Sequence, residues 1–330
     1  MVSRTATGTP SIAHLAESGT AARRPTRGPL RDAWRRLLAN RVGMVGGVIV
    51  LIFVFLAIFG QALAPRDALF QDLNRISEPP SRDYWLGTDE VGRDLLSRIL
   101  AGARTALVVA GLVTAIAAGL GTVLGLVSAY ARGWVDSVLM RTADLLLAFP
   151  TFLLAAFLNA TMRGPVEGRL ERVADTTGIP ALANSQVIDF IAVFGALAVV
   201  TWPSYARLIR SQVLSLRERE FVEAAIGLGA PAHQILLRHI LPNSIAPVVV
   251  AVSVNIGNAV LAESALSYLG IGIQPPTPSW GQMINANLDQ WRYYPHLILV
   301  PSGVLALLIL GFNFFGDGVA DALNPRQSRR

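Results

Sequence analysis

Three polar side chains, Asn255, Asn258 and Glu263, interrupt an otherwise apolar run in the last third of the chain. At the helical rotation per residue they fall within an arc of about 140°, so they can share one broad face. Polar groups at membrane depth are costly and tend to face bundle interiors or transport pathways. Their chemistry would be binding: Glu263 could pair with a cationic solute or with an arginine of a partner subunit, or it could serve as a structural hydrogen-bond acceptor between subunits.

A second candidate site lies in the segment 220–243, which is short, polar and helix-prone and separates two apolar runs. Four of its apolar residues follow i, i+3, i+4, i+7 spacing and therefore share one helical face, and Gly229 and Pro231 would end the helix. A small, smooth apolar face suits a groove on another protein. It would also suit the inner surface of the chain's own bundle. The four residues are Phe221, Ala224, Ala225 and Leu228.

Catalytic and metal-binding chemistry is not indicated. The chain has no cysteine, which excludes thiolate metal sites and a thiol nucleophile. None of the four histidines has another histidine at ligand spacing, and no Ser/His/Asp arrangement or carboxylate pair stands where catalysis would need it. All 28 lysine-plus-arginine residues are arginine, so the lysine of a phosphate-binding P-loop is missing. We predict no enzymatic site, cofactor or metal, and a partner or an ion gradient must supply energy.

Membrane helices must position the candidate residues. Apolar residues make up 52% of the 330 and charged residues 15%, with a mean hydropathy of +0.48. The apolar runs are long enough to cross a hydrocarbon core of ~30 Å, which takes about 20 residues of helix. Open sheets do not survive in lipid, so the chain is predicted to be all-α with six membrane spans. The spans are Val42–Leu63, Thr105–Ala129, Arg141–Met162, Val187–Ala206, Ile245–Ile271 and Tyr294–Phe315.

The arginines predict the orientation of these spans. They cluster at the ends of apolar runs and are more numerous on the side that would hold both termini, which favours membrane topology over nucleic-acid binding as the cause of the +6 net charge. Both termini and the segment 207–244 are therefore predicted to face the cytoplasm. The run from Val42 exceeds the apolar region of a signal peptide and follows a long leader, so we predict an uncleaved span. Within the second span, Gly121-xxx-Gly125 would let helices approach closely.

The chain divides into four predicted segments. Its first residues are rich in Ser, Thr, Ala, Gly and Pro, which is typical of disorder. The stretch Arg31–Arg41 reads as a basic amphipathic helix along the inner membrane surface. The segments are a disordered cytosolic tail (1–30), the amphipathic helix with the first span and an outer loop (31–94), a core of five spans (95–320) and a cytosolic C-terminal tail (321–330).

A recognisable pattern runs through segment 220–243: Glu223-Ala224-Ala225, then Gly229, then Leu241-Pro242. It resembles the cytoplasmic "EAA" loop in the permeases of binding-protein-dependent ABC importers. In that family the loop forms a coupling helix that docks on a separate ATPase subunit.

Three further stretches occur in order: Trp85–Asp94, Leu266–Gly281 and Gly316–Arg326. They resemble the "C" member of the permease pair in the oligopeptide, dipeptide and nickel branch. With segment 220–243, they extend the resemblance from about Leu30 to Arg326. One departure is His239, where the general pattern has an apolar residue two positions before Leu-Pro.

The resemblance implies a type I ABC importer permease in the cytoplasmic membrane that moves di- or oligopeptides. Implied partners are a second homologous permease, two ATPase subunits that bind ATP and Mg, an extracytoplasmic binding protein and membrane lipid. Alternatives are the same machinery importing nickel or another small solute, a gradient-driven secondary transporter, and a receptor or scaffold without flux. The implied coupling residues are Phe221, Glu223, Ala224, Ala225, Leu228 and Gly229, and the candidates for the translocation pathway are Asn255, Asn258 and Glu263.

Two loops and one ion pair are open to smaller interpretations. The charged and glycine-containing residues 85–94 would form either a self-satisfied outer elbow or a contact for the binding protein. The Pro-rich residues 274–281 carry Trp280, which suits an aromatic anchor at the membrane interface, or again a contact for the binding protein. Asp144, three residues after Arg141, is expected to form an ion pair at a helix end.

Overall fold

Long apolar runs fold here as helices because each helix satisfies its own backbone hydrogen bonds. The computed structural model describes residues 29–131 and 133–323, and in these ranges the chain is helical apart from loops and one isolated bridge. Most of the predicted N-terminal and C-terminal tails, residues 1–28 and 324–330, lie outside the described residues. The main helices are α1 Pro29–Ala39, α2 Arg41–Leu63, α3 Leu95–Ala131, α4 Gly133–Ala148, α5 Thr151–Thr177, α6 Ser185–Arg217, α7 Glu220–Gly227, α8 Ala232–Ile235, α9 Leu241–Tyr268, α10 Trp280–Ala286 and α11 His296–Leu323.

Five helical stretches in the described residues are long and apolar enough to cross a membrane. They are α2, α3, α6, α11 and the stretch His233–Tyr268, in which a single π-helical turn, Leu236–Ile240, joins α8 to α9. A sixth span results if the bent pair α4 and α5 counts as one. The all-α fold with up to six spans is therefore confirmed.

The third span is broken, and the prediction of one continuous helix over Arg141–Met162 is wrong. The axes of α4 and α5 meet at 97°. Pro150 stands at the break as the N-cap residue of α5, with a φ of −55° and a ψ of 117°. Its ring disfavours helical geometry in Phe149, and it has no N–H to continue the α4 hydrogen-bond ladder.

The other spans are present, but several helices extend beyond their predicted ends. Helix α3 begins at Leu95 rather than near Thr105, and α6 continues to Arg217. Apolar composition marks only the part of a helix inside hydrocarbon, so it does not detect polar turns that continue into water. Helix α11 runs to Leu323, so the first residues of the predicted C-terminal tail are helical.

Glycines allow the closest helix contacts in the core. The most extensive contact joins α3 and α6. A Cβ atom added to Gly121 would lie 2.5 Å from the Cβ of Tyr205, and one added to Gly125 would lie 2.5 Å from the carbonyl oxygen of Ala206. The close approach predicted from Gly121-xxx-Gly125 is thus confirmed.

The bundle has two ends of different character. At one, which we call the loop end, residues 64–94 lie beside residues 269–295, and Asn287 donates a hydrogen bond to Glu90 at 3.2 Å. The opposite end, which we call the α7 end, holds α7 and the start of α2. There Asn40 donates to Asp321 at 3.0 Å. The amphipathic helix is present as α1, and its Leu37 lies against Gly318 of α11.

Candidate functional site

Helix α7 is a short helix at the α7 end. It begins after Arg219, and Glu220 and Glu223 lie in its first turn, where carboxylates stabilise the helix dipole. The helix ends at Gly227, and two residues later Gly229 takes a φ of +81° and donates its N–H to the carbonyl of Ile226 at 2.9 Å. Glycine adopts this left-handed conformation without steric cost. The predicted helix end at Gly229 is confirmed.

One side of α7 packs on the chain's own bundle. Val222, which the sequence pattern did not single out, is 2% exposed and joins a buried cluster with Ile209 of α6 and Ile235 of α8. Ala225 is half-buried against this cluster, although the pattern assigned it to the free face. The i, i+3 spacing of Val222 and Ala225 was the available signal, because these residues form a second apolar stripe beside the first.

The other side of α7 is an exposed apolar surface. It consists of Phe221, Ala224 and Leu228, which we call the docking face. Phe221 is 42% exposed and Leu228 is 89% exposed. Exposed apolar patches of this kind mark interaction sites. One side of α7 therefore covers its own bundle, as one interpretation of the sequence predicts. The other side is exposed in this chain, with Glu223 exposed beside it, and docking of this side on a partner stays a prediction.

A cavity of about 620 Å³ lies between α3, α5, α6 and α9. Asn255 and Asn258 line it, and the Nδ2 of Asn258 lies 3.4 Å from the Oδ1 of Asn255. The remaining polar groups on the wall are hydroxyls, and among the described residues no charged side chain lines this space. They belong to Thr114, Thr151, Thr201, Ser204 and Tyr205.

Glu263 lies outside this cavity. Its side chain is 1% exposed, and its carboxylate accepts hydrogen bonds from Ser267 at 2.8 Å, Ser279 at 2.9 Å and Ser264 at 3.2 Å. The expectation that it shares one surface with Asn255 and Asn258 is therefore wrong. All three donors belong to the same chain, so Glu263 joins α9 to the loop before α10, and these contacts are neither to a solute nor to a second subunit.

Comparison with known proteins decides the family. Residues 121–329 match the family described as binding-protein-dependent transport system inner membrane component, and residues 28–80 match the N-terminal TM domain of oligopeptide transport permease C. The chain belongs to this family of inner-membrane permeases. The resemblance drawn from the sequence motifs is confirmed, and with it the type I permease fold and a multi-pass location in the cytoplasmic membrane.

Similar proteins cover nearly the whole permease. The glutathione transport system permease protein GsiD of Pectobacterium atrosepticum is 38% identical over 301 residues, which is 91% of this chain and 92% of that protein. The dipeptide transport system permease protein DppC of Alkalihalophilus pseudofirmus is 36% identical over 298 residues, 90% of each chain. A GsiD protein of Escherichia coli O157:H7 is also 36% identical, over 301 residues and 91% of each chain.

At the loop end of the permease, charged side chains are paired inside the protein. The Oδ2 of Asp89 lies 2.6 Å from the Nε of Arg93 and 3.2 Å from the Nε of Arg98, and all three side chains are at most 6% exposed. Arg93 also reaches Glu90 at 2.9 Å. These contacts support the self-satisfied elbow, because the charged groups of residues 85–94 are turned inward.

Trp280 is buried, so its interpretation as an aromatic anchor at the interface is wrong. The side chain is 1% exposed, and its indole N–H donates to the carbonyl of Ile99 on α3 at 3.1 Å. Gly102 leaves room for the ring, since a Cβ there would lie 2.6 Å from the indole nitrogen. Trp280 therefore fixes the start of α10 to the permease core.

Ion pairs also join the helices of the permease. Asp144 pairs with Arg207 of α6 rather than with Arg141, so the predicted ion pair exists with a different partner. A pair that sequence reasoning missed joins Asp189 of α6 to Arg163 of α5 at 2.8 Å. Asp189 is 3% exposed and also accepts the backbone N–H of Gln274 at 3.2 Å. A carboxylate inside a predicted span is rare, and this rarity was the signal for Asp189.

Proposed function

We propose that this permease is the transmembrane subunit of an ATP-driven importer of di- and oligopeptides, and that α7 couples it to separate ATPase subunits. The observation that carries the proposal is the docking face. Phe221, Ala224 and Leu228 present an exposed apolar surface on a helix that Val222 holds to the bundle. A short helix lying in a groove of another protein is a recurrent mode of recognition. ATP and Mg are bound by the ATPase partners.

A mechanical connection leads from α7 to the cavity. Val222 packs against Ile235 of α8, and α8 continues through the π-helical turn into α9. Helix α9 carries Asn255 and Asn258 to the cavity wall. Movement of an ATPase against the docking face would therefore displace a helix that lines the cavity. Such coupling requires the ATPase to bind the inward-open and outward-open permease with different affinities.

The cavity wall favours a peptide cargo. Its amides and hydroxyls can exchange hydrogen bonds with peptide groups, and its apolar surface accepts varied side chains. Relatives are named for dipeptide and glutathione transport. Nickel prefers imidazole and related donors, and no group of three or more His, Cys, Asp or Glu residues that could hold a metal occurs in the described ranges. A second homologous permease would complete the pathway, and the binding protein would select the cargo.

A gradient-driven secondary transporter is a weaker candidate. It needs an ionisable group in the pathway, and Glu263 was the membrane-embedded carboxylate in α9 that suggested one. Three serine hydroxyls surround that carboxylate, away from the cavity.

We place the α7 end at the cytoplasmic face, as the arginine distribution predicts, and the loop end at the face where a binding protein would deliver cargo.

The first test is association with the ATPase subunits. In Ala224→Arg, a long cation would stand in the centre of the docking face, where it cannot enter an apolar groove without desolvation. We expect the tagged permease to insert and fold normally in mild detergent but to lose its ATPase subunits on purification. The matched control is Ala183→Arg, which adds the same side chain at an exposed position of the loop end. Undiminished ATPase recovery with Ala224→Arg would remove the coupling assignment.

The second test is transport by the reconstituted complex. Proteoliposomes that contain both permeases and the ATPase subunits, supplied with the binding protein, should accumulate a labelled dipeptide only with ATP and Mg. Uptake of Ni²⁺ in place of the dipeptide would overturn the assignment of a peptide cargo. Uptake driven by an ion gradient without ATP would overturn the assignment of ATP as the energy source.

A further inference from the structure

A second cavity, of about 880 Å³, lies at the loop end between the last turn of α2 and the first turns of α3 and α6. It shares no lining residue with the cavity beside Asn255. Its lining holds two kinds of side chain. The polar part includes Arg66, Arg104 and Gln186, and the rest of the lining is apolar.

The polar part carries two cations without a carboxylate partner. Neither Arg66 nor Arg104 forms an ion pair with a carboxylate in the described part of the chain. The guanidinium of Arg66 lies 4.3 Å from the ring centroid of Tyr84, which leaves its N–H groups available at the rim. Asp67 also lines the cavity, so the site presents two positive charges and one negative charge.

A buried hydroxyl supplies an independent sign of a ligand. Thr277 lines the same cavity and is only 7% exposed, yet its Oγ1 has no hydrogen-bond partner among the described residues. A buried hydroxyl normally finds a partner, because leaving it unpaired is costly. A polar group of a ligand in the cavity would satisfy it.

The apolar part of the wall faces the level of lipid chains. Ile58 of α2 is 66% exposed and Val108 of α3 is 42% exposed, and both line the cavity. From Arg104 to its last residue, Ala131, α3 rises about 40 Å at about 1.5 Å per residue. This length is close to the roughly 40–45 Å of a bilayer with its head groups. With Ala131 placed at the head groups of the cytoplasmic leaflet, this length places Arg104 at head-group depth in the opposite leaflet, with Val108 one turn deeper.

We propose that this cavity binds a phospholipid of the leaflet at the loop end. Its phosphate is held by Arg66 and Arg104, and its acyl chains follow the wall of Ile58 and Val108. The carboxylate of Asp67 favours a head group with an ammonium, such as phosphatidylethanolamine, over one with only a negative charge. The proposal requires only that the chain spans a membrane, so it does not depend on peptide cargo or on coupling through α7.

Lipid retention by the assembled complex tests the proposal. The complex is incorporated into nanodiscs with equal parts phosphatidylethanolamine and phosphatidylglycerol, extracted into detergent, washed and analysed by native mass spectrometry for bound phospholipid. Wild type should retain phosphatidylethanolamine in preference. Arg104→Gln should retain at least about tenfold less, because it loses charge-assisted hydrogen bonds to the phosphate. Arg82→Gln, an exposed arginine of the same end outside this cavity, is the matched control and should retain lipid as wild type does.

A second variant probes the apolar wall without changing charge. Ala57 lines the cavity, and Ala57→Trp should fill it and also reduce retention, with ATPase recovery as the check that the complex remains assembled. Equal retention in wild type and Arg104→Gln would overturn the proposal. So would displacement of the lipid by inorganic phosphate alone, which would indicate a simple anion site. Efficient cross-linking of the Val108→Cys variant to the second permease would show that protein fills the space instead.

Discussion

The two ends of the permease differ in burial: the loop end holds a buried, paired charge cluster, and the α7 end holds an exposed apolar surface. At the loop end, Asp89, Arg93 and Arg98 are buried and paired with one another, and Trp280 is buried and hydrogen-bonded to α3. At the α7 end, the apolar side chain of Leu228 stands 89% exposed. The loop end therefore pairs this charge cluster and this ring within the chain, and the α7 end leaves an apolar surface that another molecule can cover.

This difference separates stability from association. Removing a buried, paired group of the loop end, such as Asp89, should unfold or loosen the permease, because the partners of that group are already in the chain. Removing or blocking a group on the docking face should leave the permease folded and abolish only its contact with a partner. Residues that belong to both surfaces should lose both properties.

The largest effect is expected from Asp89→Ala. The substitution leaves Arg93 and Arg98 buried, with Arg98 lacking its only carboxylate neighbour within ion-pairing distance among the described residues. Breaking a buried ion pair from one side costs about 3–5 kcal/mol. We expect a large fall in the thermal midpoint of the purified permease in detergent. The chain contains no cysteine, so the unfolding assay must be one that does not use a thiol-reactive dye.

Asp83→Ala is the matched control for this experiment. Asp83 pairs with Arg75 at 3.1 Å in the same loop, but its side chain is 63% exposed. An exposed pair contributes little to stability, so the thermal midpoint should match that of wild type. Similar losses in both variants would show that burial of the loop end does not set its stability.

An intermediate effect on stability is expected from Ala225→Arg. Ala225 packs partly against the cluster around Val222, whereas Ala224 is exposed on the docking face. Overpacking a buried contact costs about 1–3 kcal/mol. Ala225→Arg should therefore lower both the thermal midpoint and ATPase recovery, and Ala224→Arg should lower ATPase recovery alone. If the two variants behaved identically in both assays, the two sides of α7 would not be distinct surfaces.

Sequence reasoning recovered features that depend on local pattern. The apolar run of α2, the end of α7 at Gly229 and the close approach at Gly121 all follow from composition or from glycine at a required position. The break between α4 and α5 did not follow. Pro165, Pro203 and Pro247 lie inside unbroken helices, whereas Pro150 ends one. Which proline breaks a helix depends on whether neighbouring helices satisfy the freed backbone groups, and that is a property of the folded bundle.

The candidate site was predictable to a similar extent. The spacing of Phe221, Ala224 and Leu228 identified the exposed side of α7, but the burial of Val222 depends on α6 and α8, which contact it only in the folded protein. Glu263 was recognised as unusual. Its donor Ser279 lies sixteen residues away in a loop, so local periodicity could not show that the carboxylate turns from the cavity.

The smallest effects should come from two glycines at the end of α7, and they should have opposite signs. Gly227 is the last residue of the helix, and Gly229 has a φ of +81°; a Cβ at either position would have no neighbour within 4 Å. Space therefore does not decide the outcome, and backbone conformation does. Gly227→Ala should stabilise α7 by roughly 0.5–1 kcal/mol, since alanine loses less backbone freedom in a helix. Gly229→Ala should destabilise it by roughly 1–2 kcal/mol, because an L-residue is strained in the left-handed region.

Amide hydrogen exchange in α7 measures both changes, and ATPase recovery tells whether they reach the docking face. A loosened α7 end with an undisturbed loop end is the expected result for Gly229→Ala. Equal loosening at both ends would mean that the two regions do not fold as separate units of stability.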